Sequence, residues 1–392
     1  MKIIDRYIFG KFLKIFFWCY FSLVGFYIVI DLSSNISDFA AASNSFSHLV
    51  TSIISYYFLD SFVIVDMAFP LLVVLAALTA TTMMSLSNEI IALLAMGMSP
   101  GRMLIPILVG AIGVSCLFTA IREVYLPNHL VWISAKPADF MKRSDEFSVV
   151  RSYDYFSQIS IDGDKIIKSE NRLVKPSILL RKNLNRYGNR LMASNAIYLE
   201  AQGDRRSGWL LSDVTSPSDL LTNKSLQDAE TNETVVFSPA DTSWLKENEV
   251  FVATSLTPTY LIAGENWLQY ASVGDLYKAL KDPTFKNEAL ALSIRVHSRY
   301  WRPLTDLIPF FLAVPLIFLK NDRKIFNSII RGIFLTVAYA GSQYVSAYIG
   351  EKTGIAFVGI WGPTFIFVPI AAIILGELLK KSSMPKETTK SA

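Results

Sequence analysis

Long apolar runs, separated by short polar breaks, occupy both ends of the chain. A transmembrane helix needs about 20 apolar residues, because each residue adds about 1.5 Å across a hydrocarbon core about 30 Å thick. An apolar run at 49–65 contains Asp60 and is expected to continue the second helix above the bilayer. The pattern predicts six transmembrane helices, at residues 12–30, 67–86, 103–121, 303–319, 329–349 and 355–376.

Between the third and fourth predicted helices, short alternating runs replace the continuous apolar ones. Examples are residues 196–200 and 208–212, and turn signals containing glycine separate several such runs. Short strands at this spacing are typical of sandwiches and jelly rolls rather than of βαβ units. The predicted fold is a membrane α-helical protein, with six transmembrane helices arranged three plus three around an inserted all-β, jelly-roll-like domain.

These elements divide the chain into four parts. The predicted parts are a first transmembrane half, the β domain, a connecting segment and a second transmembrane half with its tail, at residues 1–138, 139–272, 273–302 and 303–392.

The composition favours a membrane protein, and the distribution of Lys and Arg predicts its orientation in the membrane. Apolar residues make up 52% of the 392 and charged residues only 18%, against about 25% charged in soluble domains. Lys and Arg gather before the first span, between spans four and five and in the tail, whereas residues 31–66 contain neither. Cytoplasmic loops carry the excess of Lys and Arg, and long domains cross the membrane regardless of charge. We therefore predict cytoplasmic termini, an external β domain and an uncleaved first span.

The net charge of +4 does not indicate a nucleic-acid partner.

Motifs that bind nucleotides or metals are absent from the sequence. There is no GxxxxGK[ST] loop for ATP and no HExxH zinc motif, and both cysteines lie in apolar runs. An SxxK match at 243–246 lacks the companion motifs of Ser/Lys enzymes. We predict a non-catalytic chain, with no cofactor or metal of its own, whose energy comes from a partner.

One cytoplasmic loop, residues 87–98, has the pattern of a short helix. Ser87 is the expected N-cap, Glu89 lies in the first turn where the helix dipole favours an anion, and Gly97 is the expected stop. The helix is more apolar than a solvated linker, so it either lies on lipid or docks into a groove of an ATPase. In the docked interpretation Glu89 pairs with a basic residue of the ATPase. The candidate coupling residues are Glu89, Ile90, Leu93, Leu94 and Gly97.

Four segments in the same order resemble the LptF/LptG (YjgP/YjgQ) permeases of lipopolysaccharide export. They are Ile-Asp-Arg-Tyr-Ile at 4–8, the coupling loop at 87–99, Arg-Glu-Val through Pro at 122–127, and Ala-Val-Pro-Leu at 313–316. The coupling loop is the most specific of the four. The resemblance covers essentially the whole chain, and residues 4–8 favour the G-type subunit.

The resemblance implies a partner set and a transport role. Members pair as an LptF/LptG heterodimer in the bacterial inner membrane and bind a cytoplasmic LptB dimer, which holds ATP and Mg. They take lipopolysaccharide from the outer leaflet, between span one of one subunit and span five of the other. The jelly roll passes it to the periplasmic proteins LptC and LptA. By position, Glu89 would be the acidic contact to the ATPase.

The lipid path in this chain is expected to differ in its charges. In G-type members, lysines at the outer end of span one hold lipid phosphates, but this chain has Asp31 and Asp38 there. Span one offers one apolar stripe at spacings of three and four. The candidate path residues in the stripe are Phe17, Phe21, Val24 and Ile28. The basic contacts come from elsewhere in the chain, with Arg122, Lys136, Lys142 and Arg143 as the candidates, or from the partner subunit, or the exported lipid is a different one.

Two other classes of protein fit parts of the pattern. A lipoprotein or macrolide exporter subunit usually has four spans, with its outer domain after the first, so a three-plus-three order counts against it. A non-transporting membrane scaffold would need neither an apolar coupling helix nor spans that enclose a cavity.

Overall fold

A computed structural model describes residues 3–42, 45–135, 139–140, 145–180, 189–203, 205–217, 220–221, 223–227, 233–319 and 325–383. The chain forms two compact units. The first comprises Met1–Leu32, Ser61–Arg122 and Ser293–Ala392, and the second comprises Ser33–Asp60 and Glu123–Leu292.

Helices account for most of the first unit and for the flanks of the second. A π-helix at Ile121–Tyr125 follows α4, and a 3₁₀ helix at Pro283–Glu288 precedes α10. The α-helices are α1 (Ile3–Ala42), α2 (Phe46–Leu86), α3 (Glu89–Ala95), α4 (Pro100–Ala120), α5 (Leu126–Asn128), α6 (Leu130–Ser134), α7 (Pro258–Ala263), α8 (Glu265–Tyr270), α9 (Val273–Lys281), α10 (Ala289–Thr305), α11 (Ile308–Ala313), α12 (Pro315–Leu319), α13 (Ile325–Thr353) and α14 (Ala356–Ser383).

Within the described residues, four helical stretches are long and apolar enough to cross a membrane. They are α1, α2, α14 and the stretch Pro100–Asn128 that begins with α4. A fifth is added if α10 and the α11–α12 stretch, which meet at a bend of 40°, count as one broken span. The continuation of the second predicted helix through residues 49–65 is confirmed, because α2 runs unbroken from Phe46.

The predicted fourth span, residues 303–319, is not one continuous helix. Proline lacks the N–H that closes a helical turn and its ring clashes with the preceding carbonyl. Pro303, Pro309 and Pro315 fall within this stretch, and the helix breaks after Thr305 and again before Pro315. The helix also begins earlier, at Ala289, inside the segment that we predicted as a connection.

The predicted fifth span, residues 329–349, lies inside the 29-residue helix α13. This helix is not among the candidate spans. Its sequence includes Asn, Ser, Gln and several Tyr residues, which lower its mean hydropathy below that of α2 or α14. Length and composition alone therefore do not identify α13 as a membrane span.

The core of the first unit includes a cluster of aromatic rings shared by α1, α2 and α4. Phe118 lies 6.2 Å from Phe16 and 5.2 Å from Phe69 between ring centroids, and Phe12 packs beside Phe16. A Cβ on Gly110 would lie 2.5 Å from the ring of Phe12, so the glycine allows α1 and α4 to approach closely.

The second unit contains an antiparallel sheet that branches at β7. One branch runs β7–β5–β4–β1, another runs β7–β6–β3–β2, and the remaining side continues β8–β11–β10–β9. The strands are β1 (Glu146–Ser148), β2 (Ser152–Asp154), β3 (Ile159–Asp162), β4 (Lys165–Ile167), β5 (Arg172–Val174), β6 (Ser177–Leu179), β7 (Arg190–Leu199), β8 (Gly208–Ser216), β9 (Leu226–Gln227), β10 (Thr234–Phe237) and β11 (Glu249–Ala253).

Alternating side chains of these strands bury one apolar core. Trp209 in β8 is fully buried, and its indole N–H donates to the carbonyl of Leu256 at 3.0 Å. This bond satisfies the one polar atom of a large buried ring. The structure therefore confirms a β domain inserted between two sets of helices.

The C-terminal end of α1 and the N-terminal end of α2 belong to the β-rich unit. A line of ring contacts leads from Phe39 in α1 to Tyr56 in α2, then to Phe140, Trp132 and finally Phe147 in β1. Successive ring centroids lie 5.2 to 5.6 Å apart. These contacts explain why residues 33–60 group with the sheet rather than with the rest of α1 and α2.

Candidate functional site

The loop between α2 and α4 contains the predicted coupling helix, now defined as α3. Its C-terminus is a Schellman motif, in which the N–H of Met98 donates to Leu93 and that of Gly97 to Leu94. Gly97 has φ +83, a conformation that suits glycine, so the predicted stop is confirmed. The predicted N-cap is wrong, because Asn88 occupies that position. The single hydroxyl proton of Ser87 has two acceptors within 2.8 Å, the carbonyl of Met83 at the end of α2 and the carboxylate of Glu89.

Glu89, at the start of α3, accepts hydrogen bonds from side chains of α1. Its carboxylate accepts two hydrogen bonds from Lys11 Nζ, at 2.7 and 2.9 Å, one from Ser87 Oγ at 2.8 Å and one from Tyr7 at 3.2 Å. Partial burial by itself raises the pKa of Glu89, but the hydrogen bonds from Lys11 and Ser87 outweigh it. The net pKa lies below the usual range of a glutamate, so the group is an anion at neutral pH.

The apolar residues of α3 divide into two faces. Leu93 is buried in the core of the first unit, and Ile90 packs against the same core. Leu94 is exposed, as are Ile91 at 48% and Met96 at 66%. Of the five predicted coupling residues, Leu93 and Ile90 therefore anchor the helix, while Leu94 and Gly97 face outward. We call Ile91, Leu94 and Met96 the α3 outer face.

Four charged side chains meet at those ends of the predicted spans two, three and four that we predict to lie outside. Arg302 contacts Asp66 through Nη1 at 2.9 Å and Asp306 through Nε at 3.1 Å, and Arg122 forms an ion pair with Asp66. All four side chains are less than one-fifth exposed. We call Asp66, Arg122, Arg302 and Asp306 the outer ion cluster.

The outer ion cluster contains one of the basic residues that were predicted to contact the lipid. Arg122, a predicted contact, is already paired with a buried carboxylate. Lys136, Lys142 and Arg143 lie outside the described residues. Sequence reasoning missed Asp66 as the shared partner of Arg122 and Arg302. The signal was present, because each of these three residues lies immediately beside a predicted span.

The predicted stripe of span one is exposed at one end and buried at the other. Phe17 and Phe21 are exposed, Phe21 to 64%, whereas Val24 is only 8% exposed. Ile28 is half-buried against the same core as Val24. The four residues lie on one geometric face, but only Phe17 and Phe21 are open to contact a lipid or another helix.

A groove of about 1440 Å³ lies between α1 and α2, and sequence reasoning missed it. Its α1 side includes Arg6 and Lys14 near the N-terminus, and Trp18, Ser22 and Phe26 further along. The α2 side is apolar, with Leu71, Leu72 and Leu75 among its residues. The signal that could have found it is the spacing of four that relates Lys14, Trp18, Ser22 and Phe26.

Metal ligands are not clustered in the described part of the chain. No group of three or more His, Cys, Asp or Glu side chains there is placed to hold an ion. The chemistry available is therefore that of an apolar docking face, a buried ion cluster and an amphipathic groove.

Comparison with known proteins identifies a family that the chain matches. The family model described as "Lipopolysaccharide export system permease LptF/LptG" matches residues 6–377, nearly the whole chain. None of the curated proteins compared matches it.

Proposed function

This chain belongs to the LptF/LptG family of lipopolysaccharide export system permeases, and from that membership we propose that it extracts lipopolysaccharide from the outer leaflet of the inner membrane. In this role it is the permease subunit of an ABC transporter and passes the lipid to a periplasmic bridge. The observation that carries the proposal is the family match across residues 6–377, which includes both helical regions and the β domain.

The proposed arrangement has six spans, three on each side of the β domain. They are α1, α2, α4, the bent α10–α12 stretch, α13 and α14, with both termini in the cytoplasm and a jelly-roll-like domain in the periplasm. Support comes from the four candidate spans, the bent pair and the antiparallel sheet. The family description covers both subunit types, so the G-type assignment stays a prediction.

The proposed contact with the ATPase is the α3 outer face. An exposed apolar surface on a short helix outside the spans is suited to a groove on a protein partner. Glu89 stands at the start of the same helix and carries a negative charge. We propose that a cytoplasmic LptB dimer binds here and supplies ATP hydrolysis, while the paralogous subunit completes the permease.

The proposed lipid path uses the open part of span one. Phe17 and Phe21 offer apolar surface to acyl chains or to the fifth span of the partner subunit. Phosphates need cations, which this part of span one lacks. We expect that neutralising Arg122 or Lys136 weakens lipid binding more than any change at Asp31 or Asp38. Because Arg122 is already paired with Asp66, Lys136 gives the cleaner test. LptC and LptA are the proposed recipients of the lipid beyond the β domain.

A pull-down with a matched pair of variants tests the transport role. Ile91→Ser combined with Leu94→Ser removes apolar atoms from the α3 outer face, whereas Phe326→Ser changes an exposed apolar residue at the start of α13. We expect the double variant to lose the copurifying ATPase and lipopolysaccharide release, and Phe326→Ser to keep both. A wild-type chain that inserts normally but captures no ATPase would support the scaffold alternative instead.

A further inference from the structure

The outer ion cluster joins two parts of the chain that are far apart in sequence. Asp66 lies in α2 and Arg122 in the π-helix after α4, whereas Arg302 lies in the last turn of α10 and Asp306 directly after it. Arg302 donates to the carboxylate of Asp66 at 2.9 Å and to its main-chain carbonyl at 2.5 Å. All four residues belong to the first unit. Arg302 therefore links α10 to α2.

Each arginine of the cluster also has a carboxylate in its own part of the chain. Arg302 pairs with Asp306, four residues later, with Nε 3.1 Å from Oδ2, and Arg122 pairs with Asp66. A buried ion that loses its partner is strongly destabilising. If α10 moves away from α2, the cluster divides into two neutral ion pairs, and none of its four ions is left without a counter-charge.

α10 ends at a bend that the sequence builds into span four. The helix stops at Thr305 and resumes at Ile308, at an angle of 40°. Pro309 has no N–H to donate to the carbonyl of Thr305, and the hydroxyl of Tyr339 donates to that carbonyl instead, at 3.1 Å. The bend is therefore stable without a continuous helix. A few residues at a helix end are enough to absorb a change of direction.

The two sides of the bend are held by different interactions. Beyond it, α12 is fixed to α2 by apolar packing, because Ile317 shares a buried cluster with Val74 and Leu78. Before it, α10 packs on α14, where the ring centroids of Trp301 and Trp361 lie 5.3 Å apart, and meets α2 at the ions. The inner part of span four is thus held to α2 by apolar contacts, and the outer part by charges.

We propose that the outer ion cluster is a latch, a contact that holds α10 against α2 and, on release, lets α10 turn about the bend at residues 306–307. Asp66 closes the latch, because it accepts from Arg302, and Arg299, buried one turn earlier in α10, is also attracted to it. Asp306 keeps Arg302 paired after release. The outer side of the first unit can then open and close without exposing a buried ion to an apolar environment.

Two variants, each replacing one carboxylate with an amide of the same shape, test the latch. Asp66→Asn removes the carboxylate that closes it, so α10 should move away from α2. Asp306→Asn leaves Arg302 with Asp66 as its carboxylate in the cluster, so α10 should stay in place. A cluster that only stabilises the fold would be loosened by both variants, because each of them removes a buried partner of Arg302.

Spin labels measure the position of α10 in the full chain, with its copurifying partners, in nanodiscs. They are attached to cysteines at Val109 in α4 and Ser298 in α10, both exposed, after the two native cysteines have been replaced. Double electron–electron resonance should give one distance for the wild type and for Asp306→Asn. In Asp66→Asn a second distance should appear, with its population ratio raised about tenfold or more, because a hydrogen bond to a charged group contributes at least that factor.

A matched control places the second label at Ile330 in α13, which is exposed and lies beyond the bend. The distance from Val109 to Ile330 should be the same in the wild type and in both variants. A change in this control pair as large as that at Ser298 would mean that the fold as a whole has loosened, and would overturn the latch.

Asp66→Asn also removes the carboxylate of Arg122, so a second variant guards against misfolding. Asp66→Asn combined with Arg122→Gln removes both ions of the α2 side and keeps the pair of Arg302 and Asp306. It should show the same second distance between Val109 and Ser298. A single distance in both Asp66 variants would overturn the latch, and so would a second distance that is equally populated in Asp306→Asn and Asp66→Asn.

Discussion

Lys11 and Glu89 form a two-pronged ion pair across 78 residues of sequence, with Nζ 2.7 Å from Oε1 and 2.9 Å from Oε2. The pair joins the first turns of α1 to the first residue of α3. Both side chains are less than one-third exposed. The orientation of the proposed ATPase-binding helix is therefore linked to span one, which also carries the proposed lipid path.

The first prediction distinguishes a direct contact of Glu89 with the ATPase from an indirect role of Glu89 through its ion pair with Lys11. If Glu89 meets a basic residue of the ATPase, Glu89→Lys should cost about 2–5 kcal/mol at the interface. Lys11→Met leaves the carboxylate in place and should keep the ATPase bound. Copurification and lipid-stimulated ATP hydrolysis measure both variants. Equal loss in the two would show that Glu89 acts through its bond to Lys11, and wild-type behaviour of Glu89→Lys would remove α3 as the coupling element.

A second prediction concerns how the stability that Glu89 contributes depends on pH. The pKa of folded Glu89 is lowered, so its stabilisation is fully present above the unfolded value of about 4.3 and is lost as pH falls through the lower folded pKa. The difference in melting temperature between the wild type and Glu89→Gln should stay constant from pH 7 to pH 5. It should shrink only in more acidic buffer. A difference that already disappears between pH 7 and pH 5 would contradict the ion pair.

The third prediction ranks two arginines of the outer ion cluster. Arg302 bridges two carboxylates, so Arg302→Gln leaves Asp306 without its cation. Arg122→Gln leaves Asp66 still paired with Arg302. Breaking a buried pair costs about 3–5 kcal/mol, and we expect Arg302→Gln to reach that range and Arg122→Gln to fall below it. Denaturation in detergent measures both, and the reverse ranking would show that Arg302 is not the bridge.

A fourth prediction uses neighbouring positions of the span-one stripe. A photo-crosslinker at Phe21, which is exposed, should capture lipopolysaccharide or the fifth span of the partner subunit. The same group at Val24, which is buried, should give crosslinks within the chain and serves as the internal control. Capture of bulk phospholipid alone at Phe21 would mean that the stripe is ordinary lipid-facing surface.

The fifth prediction tests orientation with single cysteines, after Cys19 and Cys116 have been replaced. A cysteine at position 205, in the β domain, should react with a membrane-impermeant thiol reagent once the outer membrane is permeabilised. One at position 323, which lies outside the described residues, should be shielded in intact cells. The opposite pattern would overturn the orientation inferred from Lys and Arg.

Features that depend on neighbouring residues were predictable from the sequence. The apolar runs located α1, α2, α4 and α14, because a helix in lipid must be apolar over its whole length. Gly97 marked the end of α3, because its left-handed conformation is a local requirement of the chain. The alternating runs indicated strands for the same reason, since strand side chains alternate between two faces.

Features that depend on which helices pack together needed the tertiary structure. The sequence places Asp66, Arg122 and Arg302 beside three spans, but only packing brings Arg302 to Asp66 across 236 residues. Periodicity puts Phe21 and Val24 on one face of α1, yet α2 and α4 cover only the part near Val24. Ser87 was predicted to cap α3, but Asn88 occupies the cap position and the Ser87 hydroxyl lies within hydrogen-bond distance of a carbonyl at the end of α2. The sequence determined the elements and their apolar faces, because both follow from local geometry. The partner of each charged or exposed side chain was decided by packing, because that partner lies in a distant segment that no local pattern identifies.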